Sequence, residues 1–208
     1  MIPQRTTPVS RLFGFDRGTP IDRYYIDQFL GQQREKIRGH VLEVGATTYC
    51  ERFGHDVTAA SVLGPAPAEG VDVVCDLSRP GTLPAAAFDT IILTQVLNVI
   101  FNLNACLSNC LTALRPGGTL LITVPGICQI SRYDMDRWGD YWRFTDRCLR
   151  MLLALNAGVD ELVVSSWGNL ATAQAFLDGY AHEELPREIL DHHDPDYQVL
   201  VAAAATVV

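Results

Sequence analysis

Short runs of consecutive apolar residues recur along the chain, separated by polar turns. Several of them, such as VDVVC, TIIL and TLLITV, are apolar at nearly every position rather than at alternate positions. Strands buried on both faces of a mainly parallel sheet have this pattern, because helices cover both faces. The pattern predicts seven strands, at residues 40–44, 56–63, 71–77, 89–94, 119–124, 161–167 and 197–206.

Helices are predicted between these strands. Pro20 stands at the first turn of one predicted helix, and Thr145 is a good N-cap for another. The Pro-Gly-Gly run at 116–118 ends the predicted helix that precedes this run. The predicted helical segments are 20–37, 96–114 with a break near Asn102, 145–155 and 171–180. Strands that alternate with helices over this length predict a doubly wound α/β sheet, in one domain that spans 1–208.

The composition is that of a globular protein with an excess of acidic residues. The 208 residues include 16 Lys and Arg against 24 Asp and Glu, a formal net charge of −8, and 48% are apolar. Basic residues are scattered, which argues against a surface for nucleic acid. No apolar run approaches the ~18 residues of a membrane span, and the N-terminal stretch lacks a signal-peptide pattern. We therefore expect a cytoplasmic protein that acts on a small molecule.

The six cysteines show neither a metal-binding nor a disulfide pattern. They are Cys50, Cys75, Cys106, Cys110, Cys128 and Cys148. No two have CxxC spacing and most lie inside apolar runs, which is typical of buried, reduced thiols in a cytosolic protein.

Three segments carry a resemblance to a known family. HVLEVG at 40–45 resembles the first cofactor motif of class I methyltransferases that use S-adenosylmethionine (SAM). The segments at 88–100 and 114–126 resemble that family's fourth strand with its turn and its fifth strand, in matching order and spacing. The resemblance implies a Rossmann-like, doubly wound sheet of seven strands in which the last strand is antiparallel.

Two flanking segments resemble a narrower group of small bacterial methyltransferases, many of them associated with sugar or glycan pathways. They are RGTPIDRYYIDQFL at 17–30 and SRYDMDRWGDYWRFT at 131–145. By this resemblance, residues 1–38 contain an N-terminal lid helix and residues 127–145 form a loop that binds the acceptor.

The cofactor implied by the resemblance is SAM. The residues that match the family's cofactor positions, or lie nearest to them, are Arg23, Tyr25, Glu43, Gly45, Ala46, Thr48, Ser61, Asp76, Leu77, Thr94 and Gln95. Either Arg23 or Tyr25 is expected near the SAM carboxylate. The alternative for this segment is a solvated helix start whose tyrosines pack inward.

The loop after the first strand departs from the family pattern. Family members use several glycines there, which let backbone amides approach the cofactor. Here only Gly45 remains, followed by Ala46, Thr47 and Thr48. Since β-branched residues rarely adopt positive φ, we expect an ordinary backbone conformation at the two threonines. Glu43 matches an acidic position that supports this loop.

The second and third strands also differ from the family or leave alternatives open. The family places an acid at the end of the second strand to hold the ribose, whereas Ser61 is the nearest candidate here. Asp76, with Leu77, matches the position near the adenine amino group, although an aspartate there can also cap the following turn. Thr94 and Gln95 follow the fourth strand and are expected to line the cofactor site.

Acceptor-binding residues are predicted after the fifth strand. Aromatic, acidic and arginine side chains concentrate there and suit a polyhydroxylated molecule, with Arg132, Tyr133, Trp138 and Tyr141 as the binding candidates. The stretch 140–145 recurs in methyltransferases with different acceptors, so its role is expected to be structural. Trp138 can equally anchor the loop.

Four residues are candidates for the base that accepts the acceptor's proton. Asp134 and Asp136 lie in the acceptor loop, and His192 and His193 precede the last strand. Histidine titrates near neutral pH and suits proton transfer. The cluster at 191–197 also offers ligands for a divalent cation such as Mg²⁺, although its spacing matches no established site. A polar turn that caps local backbone is the alternative.

These observations predict a SAM-dependent O-methyltransferase that acts on a small hydroxylated acceptor, such as a sugar or glycoside. The family's tetrapeptide for amino-group methylation of nucleobases or glutamine is absent where TQVL stands. One alternative is a binding protein that kept the fold and lost catalysis, as the missing glycines and missing ribose acid suggest. A nicotinamide-dependent oxidoreductase is a further alternative, but it requires a fuller GxGxxG motif.

Overall fold

Seven strands form one sheet in the order β3-β2-β1-β4-β5-β7-β6 in the computed structural model, which describes residues 5–208. The strands are β1 (Gly39–Val44), β2 (Val57–Gly64), β3 (Val73–Val74), β4 (Phe88–Thr94), β5 (Leu114–Pro125), β6 (Val159–Trp167) and β7 (Leu200–Val207). β7 runs antiparallel to both of its neighbours, while β1 to β5 pair in parallel. The predicted seven-stranded Rossmann-like sheet with an antiparallel last strand is confirmed.

Helices cover the two faces of this sheet. They are α1 (Ile21–Gln32), α2 (Thr48–Phe53), α3 (Leu103–Ala113), α4 (Arg132–Met135), α5 (Asp146–Ala154), α6 (Leu170–Asp178) and α7 (Arg187–Leu190). Three short 3₁₀ helices lie at Arg34–Lys36, Leu97–Val99 and His182–Glu184. No helix in residues 5–208 combines the length and the hydropathy that crossing a membrane would require.

The two faces of the sheet have separate apolar layers. Ile122 of β5 packs in the layer that includes Leu107 of α3, whereas the adjacent Leu121 packs with Ile26 of α1. Successive residues of a strand point to opposite faces, so a strand between two helical layers must be apolar at both positions. This is why the central strands appear as uninterrupted apolar runs.

Two caps set the helix boundaries near the predicted positions. The Asn102 side chain accepts a hydrogen bond from the Ala105 amide at 3.2 Å, so the predicted break separates a 3₁₀ turn from α3. Thr145 caps α5 by accepting from the Cys148 amide at 3.2 Å. The sequence pattern did not reveal α2, α4 or α7, which have only six, four and four residues.

Two predicted strands are shorter than expected. β3 has two residues instead of seven, because only Val73 and Val74 pair with β2 before the chain turns at Asp76. The last strand begins at Leu200 rather than at residue 197. Residues 191–197 instead form an irregular segment in front of the strand.

Candidate active site

A cavity of about 370 Å³ opens at the carboxyl ends of β4 and β5, beside the start of β7. Its walls are the N-terminal segment 11–15, the first turn of α1, residues that follow β4, and parts of the segment 125–143. Ligands of open α/β sheets bind at this edge, where loops diverge from the strand ends. The cavity is therefore the candidate active site.

Two side chains that follow β4 line this cavity and have oxygen atoms without a hydrogen-bond partner in residues 5–208. Gln95 has φ +57° and donates from Nε2 to Asp22 Oδ2 at 3.3 Å, while its Oε1 is buried without a partner. Asn98 is 7% exposed and its Oδ1 is also unpartnered. A buried carbonyl oxygen without a donor is costly, and a backbone strained at a strand end is typical of functional sites. Both residues are suited to bind a ligand with N–H or O–H groups.

The first turn of α1 contributes a carboxyl group and a guanidinium group to the cavity wall. Asp22 Oδ2 lies 4.0 Å from Arg23 Nε, and Arg23 donates to the Tyr49 hydroxyl at 3.1 Å. Burial raises the pKa of the Asp22 carboxyl above its ordinary value. Burial also acts to lower the pKa of the Arg23 guanidinium, but Asp22, Tyr49 and Asp27 together outweigh it and the pKa is raised.

Tyr25, a predicted cofactor residue, does not line the cavity. Its side chain is fully buried in the core and donates to the Leu190 carbonyl at 3.0 Å. Residues two apart on a helix point in nearly opposite directions, so Arg23 and Tyr25 cannot share one site. Tyr25 follows the alternative of a tyrosine that packs inward.

The loop after β1 is open at its single glycine. Gly45 has φ +84°, and apart from its two chain neighbours no atom of residues 5–208 lies within 4 Å of the position that a Cβ would occupy. Thr47 has φ −92°, so the expected ordinary backbone at that position is confirmed, and Ala46 and Thr48 are exposed. The loop thus keeps one place where a ligand can approach the backbone closely.

Glu43 supports this loop from below. Its carboxylate accepts hydrogen bonds from the amides of Tyr49 at 3.1 Å and Cys50 at 2.8 Å, which are in the first turn of α2. Burial raises the pKa of the Glu43 carboxyl, because these two amides only partly replace the water it loses. Glu43 therefore holds the start of α2 in position and is itself 3% exposed.

Ser61, the predicted ribose contact, does not lie at the end of β2. It lies three residues before Gly64, the last residue of that strand, and its Oγ is 2.9 Å from His40 Nε2. At ~3.3 Å per residue, three residues place Ser61 about 10 Å from the ligand-binding edge. Thr94, in contrast, is the last residue of β4 and is partly buried.

Asp76 has the contacts of a turn cap. Its Oδ1 accepts from the Ser78 amide at 3.0 Å and from the Ser78 hydroxyl at 2.6 Å, and Oδ2 lies 3.1 Å from Arg79 Nε. These hydrogen bonds from Ser78 lower the pKa of the Asp76 carboxyl. The neighbouring Leu77 is buried in the core and its carbonyl accepts from Asn109 at 3.2 Å.

Three of the predicted acceptor-loop residues line the cavity and three do not. Arg132, Tyr133 and Asp134 belong to its wall. Asp134 Oδ1 accepts from Trp138 Nε1 at 3.1 Å. Outside the wall are Asp136, Trp138 and Tyr141. The side chains of Trp138 and Tyr141 are half-exposed, and Asp136 is exposed directly after the last residue of α4.

His192 and His193, two of the predicted candidate bases, are not brought to the cavity. Both are exposed, and His193 Nε2 lies 3.2 Å from Ser166 Oγ of β6. The Asn169 side chain donates to the carbonyls of Ile189 and His192, each at 2.7 Å, and so fixes the segment away from the cavity. No group of three or more His, Cys, Asp or Glu side chains in residues 5–208 is arranged to hold a metal ion, so the Mg²⁺ alternative gains no support.

Sequence reasoning did not assign three parts of the cavity wall. They are Asp22 in the segment 17–30, Asn98 in the segment 88–100, and the residues 11–15. A polar residue directly after a predicted buried strand, as Asn98 is, was the available signal. No sequence signal identified the segment 11–15, because it reaches the cavity only through its path across α6.

Comparisons with known proteins agree with this fold. Residues 38–122 match the family model described as "Methyltransferase domain". No curated protein sequence matches the chain. A SAM-dependent methyltransferase from Mesorhizobium loti is similar in structure, with a TM-score of 0.59 and 15% identity over 89% of this chain and 99% of that chain.

Two further solved structures share the fold at low identity. A methyltransferase in complex with the Trm112 activator from Haloferax volcanii has a TM-score of 0.56 and 14% identity, over 89% of this chain and 92% of that chain. The N-methyltransferase NodS from Bradyrhizobium japonicum WM9, in complex with S-adenosyl-L-homocysteine (SAH), has a TM-score of 0.51 and 14% identity, over 91% and 89%.

Proposed function

We propose that the protein is a SAM-dependent O-methyltransferase whose acceptor is a small hydroxylated molecule such as a sugar or glycoside. The observation that carries the proposal is the cavity itself. It lies at the ligand-binding edge of a methyltransferase-type sheet, and its wall includes Gln95 and Asn98, whose side-chain oxygens have no hydrogen-bond partner in residues 5–208. A site with this arrangement accepts a ligand that supplies hydrogen-bond donors.

The cofactor end of the site is formed by α1 and the strand ends β1 and β4. Gly45 leaves room for a ligand beside the backbone, and Arg23 offers a guanidinium for the cofactor's carboxylate. Gln95 lies in the cavity wall and Thr94 precedes it as the last residue of β4. When bound, SAM supplies a methyl group already activated on a sulfonium, so the protein need only position the reactants and accept a proton.

The acceptor end is formed by α4 and its neighbours. Tyr133 offers a ring face for the C–H surface of a sugar, and Arg132 offers donors for its hydroxyl groups. Asp134 has one carboxylate oxygen that is not used by Trp138, and this oxygen is our candidate base. As the acceptor oxygen bonds to the methyl carbon, its proton passes to Asp134 and the C–S electron pair stays on sulfur, which leaves SAH.

A catalytically inactive binding protein is the second candidate. The observation that favours it is the end of β2, where Gly64 and Pro65 stand in place of the acid that the family pattern has there. Such a protein would bind the cofactor or a related ligand in the same cavity without transferring a methyl group.

Calorimetry and a transfer assay distinguish these candidates. We expect both SAM and SAH to bind the purified protein, and labelled SAM to methylate members of a panel of sugars and glycosides. A matched panel with amino groups in place of hydroxyls tests the assignment to oxygen. Binding without transfer to any acceptor would favour the inactive protein, and absence of SAM and SAH binding would overturn both cofactor-based candidates.

A further inference from the structure

The charged residues of the cavity wall have a net charge of opposite sign to that of the whole chain. Four arginines and three aspartates belong to the wall, whereas the sequence contains 16 Lys and Arg against 24 Asp and Glu. The charged wall residues are Arg11, Asp22, Arg23, Arg132, Asp134, Asp140 and Arg143. A cleft lined with an excess of one charge concentrates ligands of the other sign. The charge balance at this cavity therefore favours an anion.

Two of the four arginines have no side-chain partner in the protein. Arg23 and Arg143 each lie beside an aspartate of the wall, at 4.0 Å and 2.7 Å. The side chains of Arg11 and Arg132 are exposed, and neither forms an ion pair or a hydrogen bond with any group of residues 5–208. Each guanidinium therefore keeps its five N–H donors for a ligand.

Backbone contacts bring Arg11 to the segment that contains Arg132. The Arg11 carbonyl accepts a hydrogen bond from Gln129 Nε2 at 2.9 Å, and Gln129 stands three residues before Arg132. The Gln129 carbonyl accepts from Arg143 at 2.7 Å, and Arg143 is paired with the buried Asp140. The two unpaired arginines are thus attached to the same fixed segment, on the acceptor side of the cavity.

We propose that the acceptor carries an anionic group, a carboxylate or a phosphate, which Arg11 and Arg132 bind. This inference rests on the proposed function, because the hydroxylated acceptor is then an acidic sugar, such as a uronic acid or a sugar phosphate. Carboxylates and phosphates present pairs of oxygen atoms that match the paired N–H groups of a guanidinium. Arg11 and Arg132 are the specificity-determining residues for this class of acceptor.

Asp134 sets the orientation of such an acceptor. It is the remaining charged residue of the wall, and its carboxylate is our candidate base. Because like charges repel, the acceptor binds with its anionic group at the two guanidiniums and with another part of the sugar ring at Asp134. The methylated hydroxyl is then one that does not adjoin the anionic group.

The test compares sugars of the same ring configuration that differ in charge. Labelled SAM is offered to the full chain with glucose, galactose and mannose, with the uronic acid of each, and with the 6-phosphate of each. We expect at least one acidic series to exceed its neutral parents in kcat/KM by roughly tenfold or more, as a charge-assisted contact does. The two acidic series distinguish a carboxylate from a phosphate.

Variants of the two arginines locate the anion. We expect R11Q and R132Q each to lower the ratio of acidic to neutral kcat/KM by roughly tenfold, whereas R132K keeps the charge and retains part of the preference. R147Q is the matched control, because Arg147 is an exposed arginine of α5 outside the cavity wall, and it should keep the wild-type ratio. Circular dichroism checks folding, and should one variant unfold, the other carries the test.

The outcomes separate this inference from the proposed function. If acidic and neutral sugars react equally, or if the acidic preference survives in both R11Q and R132Q, the anion assignment is wrong while the proposed function stands. Loss of SAH binding in either variant would also overturn the assignment, because that arginine would then contact the cofactor. If no sugar of any series is methylated, both proposals fail.

Discussion

The Asp140 carboxylate accepts two hydrogen bonds from the Arg143 guanidinium, at 2.7 Å from Nη1 to Oδ1 and 2.8 Å from Nη2 to Oδ2. Asp140 also accepts from the Ser131 amide at 2.9 Å, and Arg143 donates to the Gln129 carbonyl at 2.7 Å. The pair thus ties together the segment that forms one wall of the cavity. The Asp140 side chain is 1% exposed, so no water replaces a lost partner.

We expect R143Q to destabilise the protein by about 3 kcal/mol, because it leaves a buried carboxylate without its counter-charge. Urea unfolding measures this change. R147Q is the matched control, since Arg147 lies four residues further on an exposed part of α5 and should change stability by less than ~0.5 kcal/mol. Equal effects of the two variants would contradict a structural role for the pair.

The same pair predicts a dependence of stability on acid. Burial acts to raise the pKa of the Asp140 carboxyl, but hydrogen bonds from Arg143 and Ser131 outweigh it and the pKa is lowered. A lowered pKa stabilises the folded state above the carboxyl's ordinary pKa, and this stabilisation is lost as the pH falls through the lowered value. R143Q should therefore lose less stability than wild type on acidification.

We expect D134N to reduce the rate of methyl transfer by roughly 10²–10⁴-fold, the usual contribution of a general base. D136N is the matched control, because Asp136 is exposed outside the cavity wall only two residues away. The measurement is kcat with labelled SAM and the best acceptor of the sugar panel. A normal rate for D134N, or equal losses in both variants, would remove Asp134 as the base.

G45A tests the open loop after β1. Alanine at φ +84° costs ~1–2 kcal/mol of backbone strain, and its methyl group occupies the space that the glycine leaves free. G158A imposes similar strain, at φ +92° with no atom within 4 Å, but lies before β6. We expect both variants to lose similar stability in urea unfolding, whereas only G45A weakens SAH binding, by roughly tenfold, or ~1.4 kcal/mol. Unchanged SAH affinity in G45A would show that the cofactor does not contact this loop.

The N-terminal segment 11–15 lines the cavity, and the residues directly after it contact the acidic side chains at 183–184. Arg17 donates to Glu184 through Nε at 2.9 Å, and the Thr19 amide donates to Glu183 at 3.0 Å. Exposed pairs contribute little to stability, so we expect R17Q to melt near the wild-type temperature. SAH should dissociate faster from R17Q than from wild type in stopped-flow measurements, since the segment 11–15 is held less firmly. K36Q breaks another surface pair, with Glu161, and serves as the control with unchanged dissociation.

The helices and strands could be predicted because their signals are local, and the sheet topology came from the family resemblance, while the site depends on contacts between distant residues. Apolar runs and single caps such as Thr145 indicate a strand or a helix boundary from residues that are only a few positions apart. The path of His192 depends instead on the Asn169 side chain, 23 residues earlier. The contribution of Asp22 requires its meeting with Gln95, 73 residues away. No periodicity in the chain encodes either contact.

The burial of Asp22 predicts that SAH binding depends on pH. Desolvation raises the pKa of the Asp22 carboxyl, and the groups that face it are Arg23 of α1, Tyr49 of α2, the amide of Gln95 and the thiol of Cys128. Of these, the thiol has its pKa raised to about 12 by burial, so it stays neutral through the relevant range.

Only the ionised Asp22 carboxylate attracts the ammonium group of SAH, so SAH binding should strengthen as the pH rises through the raised pKa of Asp22. The folded state responds in the opposite sense, because a carboxyl whose pKa is raised on folding stabilises the protein below its ordinary pKa and loses that stabilisation as the pH rises. Calorimetric titrations across this range measure the binding. D22N should bind SAH weakly at every pH. The binding of 5′-methylthioadenosine, which lacks the amino acid group, to wild type should not change in this way with pH. A parallel rise for both ligands would trace the pH dependence to a group other than Asp22.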